Sequence, residues 1–365
     1  MNKIKVLVVD DSSVIRNIIK DALSDAKNIV VIGEAEDPLV ARDLIKKHSP
    51  DVITLDVEMP KMDGITFLEN LMRLRPMPVI MLSTLTTKGA DTTLRALELG
   101  AVDFIAKPSV EKLLATTHSF KQVLTEKIEL ACKIDQKNYK LSTHIGKKDA
   151  PNIINNMSYA GVKRNNHLVA IGASTGGTEA IKRVLVGLPE NSPPIVITQH
   201  IPKAFSASFA NRLNELCKIE VCEASHGQKI KEGHAYVAPG DMHLEIAHKN
   251  GSLFCVLTDA PEVNRHKPSV DVLFDSLIEI ANNVQAVILT GMGRDGADGL
   301  LRLKSRGART IIQDKNTSLI WGMPGRAHEI DAHTVALPLN KISKEILNYA
   351  SLSREQMKEV LHGAQ

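Results

Sequence analysis

Strand-like and helix-like runs alternate in two long series along this chain, and that rhythm restricts the fold more than any other feature. In the first series, strand patterns at Lys5 to Val9, Ile29 to Glu34, Val52 to Leu55, Val79 to Leu82 and Asp103 to Ile105 are separated by helical patterns. Those helical patterns fall at Ser13 to Ser24, Asp37 to Lys47, Gly64 to Arg73, Thr92 to Leu99 and Val110 to Lys127. The rhythm fades from Ala131 to Asn166, where lysine and asparagine dominate, and resumes at Leu168. In the second series, strands are expected at 168–172, 194–199 and 219–223, then at Val284 to Leu289, Thr310 to Gln313 and Val335 to Leu337. Helices are expected after Thr178, over Ser269 to Asn282, over Gly296 to Ser305 and over Lys341 to Ala350. Between these, His243 to Ala247, Asn250-Gly251 and Leu253 to Thr258 read as a hairpin with an Asn-Gly turn. Alternation of this kind predicts parallel sheets covered by helices on both faces. The expected fold class is α/β, with two doubly wound parallel-sheet domains at residues 1–125 and 166–365. Residues 126–165 read as a flexible, mildly basic linker, with an extra helix near Ala131 to Tyr139 as the alternative.

Composition narrows the class. A chain of 365 residues is long enough for about two domains. Aromatics make up only 3%, so the cores must be built from Val, Ile, Leu, Met and Ala. A net charge of +3 leaves no nucleic-acid footprint, and no apolar run approaches the roughly 18 residues of a membrane span. Met1 to Val6 leads into a strand without a signal-peptide pattern, and Cys132, Cys217, Cys222 and Cys255 form neither a CxxC pair nor a disulfide framework. The expectation is a cytoplasmic, reduced protein, with Cys217 and Cys222 as buried small apolar groups rather than metal ligands.

In the first series, chemistry-bearing residues fall at the ends of strands. Asp10 and Asp11 follow the first strand, Asp56 ends the third, Ser83 the fourth, and Lys107 follows the fifth. All share one edge of a parallel sheet. Clustered carboxylates repel unless a cation holds them, and an all-oxygen set suits Mg²⁺. With a lysine and a hydroxyl beside them, such a cluster suits phosphoryl transfer onto a carboxylate.

Residues 4–125 resemble a response-regulator receiver domain, with a flavodoxin-like fold. The resemblance rests on Val8-Val9-Asp10-Asp11-Ser12, Asp56-Val57-Glu58-Met59-Pro60 with Asp63-Gly64, Ser83 and Lys107-Pro108. It implies that Asp56 accepts a phosphoryl group from a histidine kinase. It implies that Asp10, Asp11 and Asp56, with the backbone carbonyl of Glu58, hold Mg²⁺. Ser83 and Phe104 occupy the switch positions, and Lys107 and Ser83 pair with the phosphoryl oxygens.

In the second series, Gly172-Ala173-Ser174-Thr175-Gly176-Gly177 stands between a strand and a helix, where α/β proteins expose a nucleophilic hydroxyl. The next strand runs into His200, and a later one runs through Thr290-Gly291-Met292-Gly293-Arg294 into Asp295. Three strand ends can therefore offer a nucleophile, a base and an orienting carboxylate. The thin Gly291-Met292-Gly293 loop can present a backbone amide, most naturally that of Met292, to an oxyanion. Each residue also has a plainer role: Ser174 as a helix cap, His200 as a packed histidine, Asp295-Gly296 as a turn. The glycines around Ser174 equally suit a nucleotide phosphate loop. His226, His234, His243 and His266 compete for the base, and Asp241, Asp259 and Asp314 for the acid.

Residues 166–350 resemble the catalytic domain of the chemotaxis protein-glutamate methylesterases. The segments that carry it are Gly172 to Gly177, Gln199-His200-Ile201-Pro202, Ala238-Pro239-Gly240 with His243, His266 to Asp271, Leu289 to Gly293 with Asp295-Gly296, and Gly322-Met323-Pro324. The resemblance implies a Rossmann-like hydrolase domain with a β-hairpin. It assigns Ser174 as nucleophile, His200 as base, Asp295 as the triad acid, Met292 as oxyanion donor and Thr175 as a supporting residue. It implies demethylation of glutamate γ-methyl esters on chemoreceptors with release of methanol, and deamidation of receptor glutamines, with no cofactor for the esterase step. With a receiver ahead of a hydrolase, the further expectation is that the unphosphorylated first domain packs near Ser174, His200 and Asp295 and hinders receptor access. Arg294 stands where a small or polar residue is expected. The rival from another class is an output domain that only binds a nucleotide or a partner protein; no stretch reads as a basic helix-turn-helix for DNA.

Overall fold

The computed structural model describes residues 3–59, 62–107, 113–134, 167–353, 355–357 and 359. The chain divides into two compact units, Met1–Asp149 and Ala150–Gln365. The tail of the linker segment, 135–166, lies outside the described residues, as do Pro60 and Pro108.

The first unit is a five-stranded parallel sheet in the order β2-β1-β3-β4-β5. Its strands are β1 (Ile4–Val9), β2 (Ile29–Ala35), β3 (Val52–Asp56), β4 (Val79–Ser83) and β5 (Asp103–Ala106). The helices are α1 (Ser13–Ser24), α2 (Pro38–His48), α3 (Gly64–Leu74), α4 (Thr87–Glu98) and α5 (Leu113–Ala131). Every residue of β3 and β4 is buried, as strands covered on both faces must be. Side chains of Ser12, Asp37, Asp63 and Thr86 accept first-turn amides and start α1 to α4. The strand order reverses between β1 and β3, the crevice where ligands of open α/β sheets bind. A Cβ on Gly64 would lie 2.1 Å from the Asp56 carbonyl oxygen, so only glycine lets α3 begin against the end of β3.

One boundary needs correction. The domain end expected at 125 falls inside α5, which buries Phe120, Leu124, Ile128 and Ala131. Their spacing of four, four and three residues is one helical face, and that face continues past residue 126, the expected start of the linker.

The second unit is a seven-stranded parallel sheet, β14-β13-β12-β6-β7-β9-β8, with a separate two-stranded antiparallel sheet, β10-β11. The strands are β6 (Leu168–Ala173), β7 (Ile195–Gln199), β8 (Glu220–Glu223), β9 (His234–Val237), β10 (His243–Lys249), β11 (Ser252–Thr258), β12 (Val284–Ile288), β13 (Arg309–Gln313) and β14 (Val335–Leu337). The helices are α6 (Gly177–Val186), α7 (Lys203–Leu216), α8 (Val270–Asp275), α9 (Ala297–Ser305), α10 (Met323–Glu329) and α11 (Leu339–Ser351). The hairpin forms with Asn250 and Gly251 both at positive φ, 50° and 72°, as a two-residue primed turn requires. His234–Val237, not among the expected strands, is a member of the main sheet, paired on both sides. The single helix expected over Ser269 to Asn282 is α8 followed by a 3-10 helix at Ile278–Asn283.

Two glycines seat α8 against the sheet. A Cβ on Gly172 would lie 2.2 Å from Val270 Cγ1, and one on Gly296 would lie 2.4 Å from the same atom. Val270 therefore fills the space both leave, and the start of α8 meets the loop that follows β12. No helix among the described residues is long and apolar enough to cross a membrane.

Candidate active site

In the second unit the order of strands reverses at β6, and Ser174 follows directly on it. Its amide donates to Thr290 O at 3.1 Å, and its carbonyl accepts from Gly177 N at 2.7 Å. The loop amides of Ser174 and Gly177 are thus spent inside the protein, unlike those of a phosphate loop. A second donor to the Ser174 carbonyl is Gln199 Nε2, at 3.0 Å, and the same nitrogen reaches His200 O at 3.2 Å. Gln199 is buried, so one carboxamide ties the backbones of Ser174 and His200 together. Thr175 is also buried, and its carbonyl faces the Thr290 hydroxyl at 3.1 Å.

His200 Nε2 lies 2.8 Å from Asp295 Oδ2. Its Nδ1 is buried and meets no hydrogen-bond partner among the described residues. An ionised carboxylate requires Nε2 to carry the proton, which leaves the Nδ1 lone pair free to act as a base. Among the described residues the Ser174 hydroxyl makes no hydrogen bond to this ring, an arrangement common before substrate binds. The ring of His266 stacks on His200, with centroids 3.6 Å apart and planes 12° apart.

Asp295 is 1% exposed and surrounded by donors. Oδ1 accepts from Asn264 Nδ2 at 2.9 Å, Ser269 Oγ at 2.8 Å and Asp271 N at 3.4 Å. Oδ2 accepts from Val270 N at 2.7 Å as well as from His200. Burial alone would raise its pKa, but the bond and charge of His200, with Asn264 and Val270 N–H, outweigh burial and hold the carboxyl well below the usual carboxylate range. Asn264 and Arg265 both have positive φ, 54° and 67°, and this tight turn brings Asn264 to the carboxylate.

The Gly291 carbonyl accepts from Gly322 N at 3.1 Å and Met323 N at 2.8 Å. The amide of the same peptide plane, that of Met292, points the opposite way, because a trans peptide opposes its N–H and C=O. It donates to none of the described residues. A Cβ on Gly291 would lie 2.3 Å from Met323 Sδ and 2.9 Å from Ser174 Cβ, so the loop passes close to the serine only as glycine.

Ser174, His200, Asp295 and Met292 therefore share one sheet edge, with Thr175 beneath. Of the competing histidines, His266 belongs to the site. His243 is buried, bridging Pro261 O and Ser269 N. His226 meets Leu257, and His234 meets Glu220 and Glu232. Asp259 pairs with Lys267, and Asp314 holds the turn at Thr317. Sequence reading missed the donors Asn264 and Ser269 and the bridging role of Gln199. The cysteines are less covered than expected: Cys217 and Cys222 are half-buried, and only Cys255 is buried. Burial pushes the Cys217 and Cys255 thiols up to about 12.

The first unit holds a second candidate site. Carboxylate oxygens of Asp10, Asp11 and Asp56 lie within 4.8 Å of one another. Asp10 and Asp56 are buried, and Lys107 Nζ stands 2.8 Å from Asp10 Oδ2 and 2.7 Å from Asp56 Oδ2. Burial pushes Asp56 up to about 6; the Asp10 charge adds to that, while Lys107 opposes it. Burial pulls the Lys107 ammonium down, but its bonds to Asp10 and Asp56 prevail, and it sits above its ordinary value. Glu58 meets the pocket through its backbone, whose N–H donates to Asp56 Oδ1 at 3.3 Å. Ser83 is held on the α4 side: its hydroxyl lies 3.3 Å from Gly89 O and accepts from Thr93 Oγ1 at 2.7 Å. Phe104 is buried, with Lys127 Nζ 5.9 Å from its ring centre. The all-oxygen donor set fits a hard divalent ion.

The response regulator receiver family model matches residues 6–118, and the CheB methylesterase family model matches residues 169–346. The chain is 50% identical over 353 residues to the protein-glutamate methylesterase/protein-glutamine glutaminase of Photorhabdus laumondii, covering 95% of this chain and 97% of that protein. The chain belongs to the CheB methylesterase family. A second member, the protein of the same name from Escherichia coli O157:H7, is 48% identical over 352 residues, with 95% and 97% of the two chains covered. Among solved structures, the methylesterase catalytic domain of Thermotoga maritima CheB is 38% identical and covers 50% of this chain and 97% of that one, with a TM-score of 0.49. The receiver match spans Asp10, Asp11, Asp56, Ser83 and Lys107, and the methylesterase match spans Ser174, His200, Met292 and Asp295.

Proposed function

We propose that this chain is a phosphorylation-controlled protein-glutamate methylesterase of chemotaxis, acting on methyl-accepting chemoreceptors, and a protein-glutamine glutaminase at the same site. The observation that carries the reading is His200, fixed by Asp295 through Nε2 with its Nδ1 unpartnered, on the same sheet edge as Ser174 and the free Met292 amide.

Ser174 Oγ attacks the γ-carbonyl carbon of a glutamyl methyl ester, and His200 Nδ1 takes its proton. The Met292 amide donates to the oxygen that becomes negative, a contribution of about 3 kcal/mol to the barrier. Asp295 holds the imidazolium in orientation and stabilises its charge. As the tetrahedral centre collapses, methanol leaves with the proton from His200. Water, deprotonated by His200, then attacks the acyl-serine, and a glutamate side chain is released with Ser174 restored. An amide shares that intermediate, so glutamine would leave ammonia by the same route. Thr175, buried beneath, holds the loop through its carbonyl.

The first unit, through the end of α5, would act as the receiver and residues 166–365 as the hydrolase, in the cytoplasm. Asp56 takes the phosphoryl group from a histidine kinase. Asp10, Asp11 and Asp56, with the Glu58 carbonyl, would hold Mg²⁺, which supplies positive charge beside the incoming group. Lys107 remains as a second cation for the phosphoryl oxygens, and Ser83 and Phe104 would respond as switch residues. The test is methanol release from a methyl-esterified receptor fragment by wild type and Ser174→Ala, each with and without a small phosphoryl donor and Mg²⁺. Donor-stimulated release that is lost in Ser174→Ala supports the esterase, its nucleophile and its phosphorylation control. No release by folded, phosphorylated wild type would overturn the esterase reading.

A further inference from the structure

Arg294 lies between the Met292 loop and the triad acid. It is exposed, and its carbonyl accepts from Ala297 N at 3.0 Å, which fixes the turn. Its guanidinium pairs with none of the described residues. Four other arginines of this unit are engaged: Arg183 with Glu179 at 2.9 Å, Arg302 with Asp275 at 2.7 Å, Arg309 with Glu345 at 2.7 Å and Arg326 with Glu329 at 3.3 Å; exposed Arg306, like Arg294, pairs with none of the described residues, but it lies away from the triad in sequence. Asp295, next in sequence, is no partner, because its oxygens are taken by His200, Asn264, Ser269 and Val270 N–H. Both flanks of Arg294 are anchored. The Gly291 carbonyl is bonded to Gly322 and Met323, and the Asp295 carboxylate is locked. A free cation is therefore held two residues from the oxyanion amide and one from the triad acid, at the solvent side.

We propose that Arg294 is a specificity-determining residue: it recognises carboxylates that flank the reacting glutamyl side chain, so the enzyme favours acidic protein segments. This inference rests on the esterase reading. The reaction itself supplies the logic. Each turnover turns a neutral ester or amide into a carboxylate, so a segment with several target positions gains negative charge as it is processed. A guanidinium matches a carboxylate with two parallel hydrogen bonds and attracts it at longer range. At an exposed rim the attraction is modest and screened by salt. Hydrolysis of later positions would then be favoured over that of the first.

Two methyl-esterified peptides test this, identical except that the residues flanking the glutamyl ester are glutamates in one and glutamines in the other. Methanol release is followed with the full-length, phosphorylated protein. Wild type should show about a fivefold higher kcat/KM on the acidic peptide at low ionic strength, expressed through KM and shrinking with added salt. The ratio should fall to near one in Arg294→Ala, invert in Arg294→Glu and persist in part in Arg294→Lys. Continued release from the neutral peptide reports that each variant is folded. An acidic preference that survives in Arg294→Ala overturns the proposal while leaving the esterase intact. No release from either peptide by wild type overturns the esterase reading, and this one with it.

Discussion

Asp56 and Asp295 are both buried carboxylates at the same kind of strand edge, yet their surroundings are opposite. Asp56 has one backbone N–H, one shared ammonium and an acidic neighbour, Asp10, and burial pushes it up to about 6. Asp295 collects donors from His200, Asn264, Ser269 and Val270, and is held well below the usual carboxylate range. The difference matches the two jobs proposed for them. A carboxylate that must gain a cation and a phosphoryl group is left undersupplied with partners. A carboxylate that must stay an anion through every turnover is saturated with them.

The largest effect expected is from Asp295→Asn. One face of the new amide would be a donor among donors, and His200 Nε2 would have to lose its proton to accept from it. The proton then moves to Nδ1 and removes the lone pair that serves Ser174. The kcat for methanol release should fall by roughly 10³- to 10⁴-fold, with phosphorylation of Asp56 unaffected. A loss below about tenfold would mean that the saturated cradle serves packing rather than the choice of tautomer.

The two carboxylates should also give different pH slopes. Asp56 binds its proton more tightly folded than unfolded, about 6 against 3.8. The stability this provides is present below about pH 4 and lost as pH rises through 6, about 3 kcal/mol in all. Asp295 has the reverse sign: its contribution is present above its ordinary value of 3.8 and is lost only as pH falls through its depressed one. Native-state hydrogen exchange in metal-free buffer should show β3 amides losing protection free energy from pH 5 to 7 while β12 amides hold level. Added Mg²⁺ should flatten the β3 slope. Parallel slopes in the two strands would break the contrast.

How far each site was legible follows from where its residues lie. Asp10, Asp56, Lys107, Ser174 and His200 stand at or just past apolar runs with a clear period, so their strand edge could be read directly. Asn264 and Ser269 lie in a loop with two left-handed residues, where no periodicity indicates direction. Only the seating of Val270 into the space left by Gly172 and Gly296 turns that loop toward Asp295. His234–Val237 escaped notice as a sheet member because four residues carry too little pattern, and parallel pairing to β7 and β8 decides it. Gln199 read as the polar end of a strand, and only its two carbonyl partners show what it holds.

Gln199 gives the smallest and most selective test, because it supports the site with neutral groups alone. Its Nε2 spans Ser174 O and His200 O, so it fixes the distance between nucleophile and base without touching either reacting atom. Gln199→Met keeps the volume and removes both donors. Ser174 O keeps another donor, Gly177 N, so only the His200 carbonyl loses its donor. Stability should therefore change by about 1 kcal/mol. The kcat should fall about tenfold with KM nearly unchanged, because slack between Ser174 and His200 costs orientation rather than binding. The pH profile of kcat/KM should stay where it is in wild type, whereas Asp295→Asn must move it. If Gln199→Met moved that profile as well, the neutral bridge would be acting on the charge of His200, and the separation drawn between electrostatic and positional control of this site would fail.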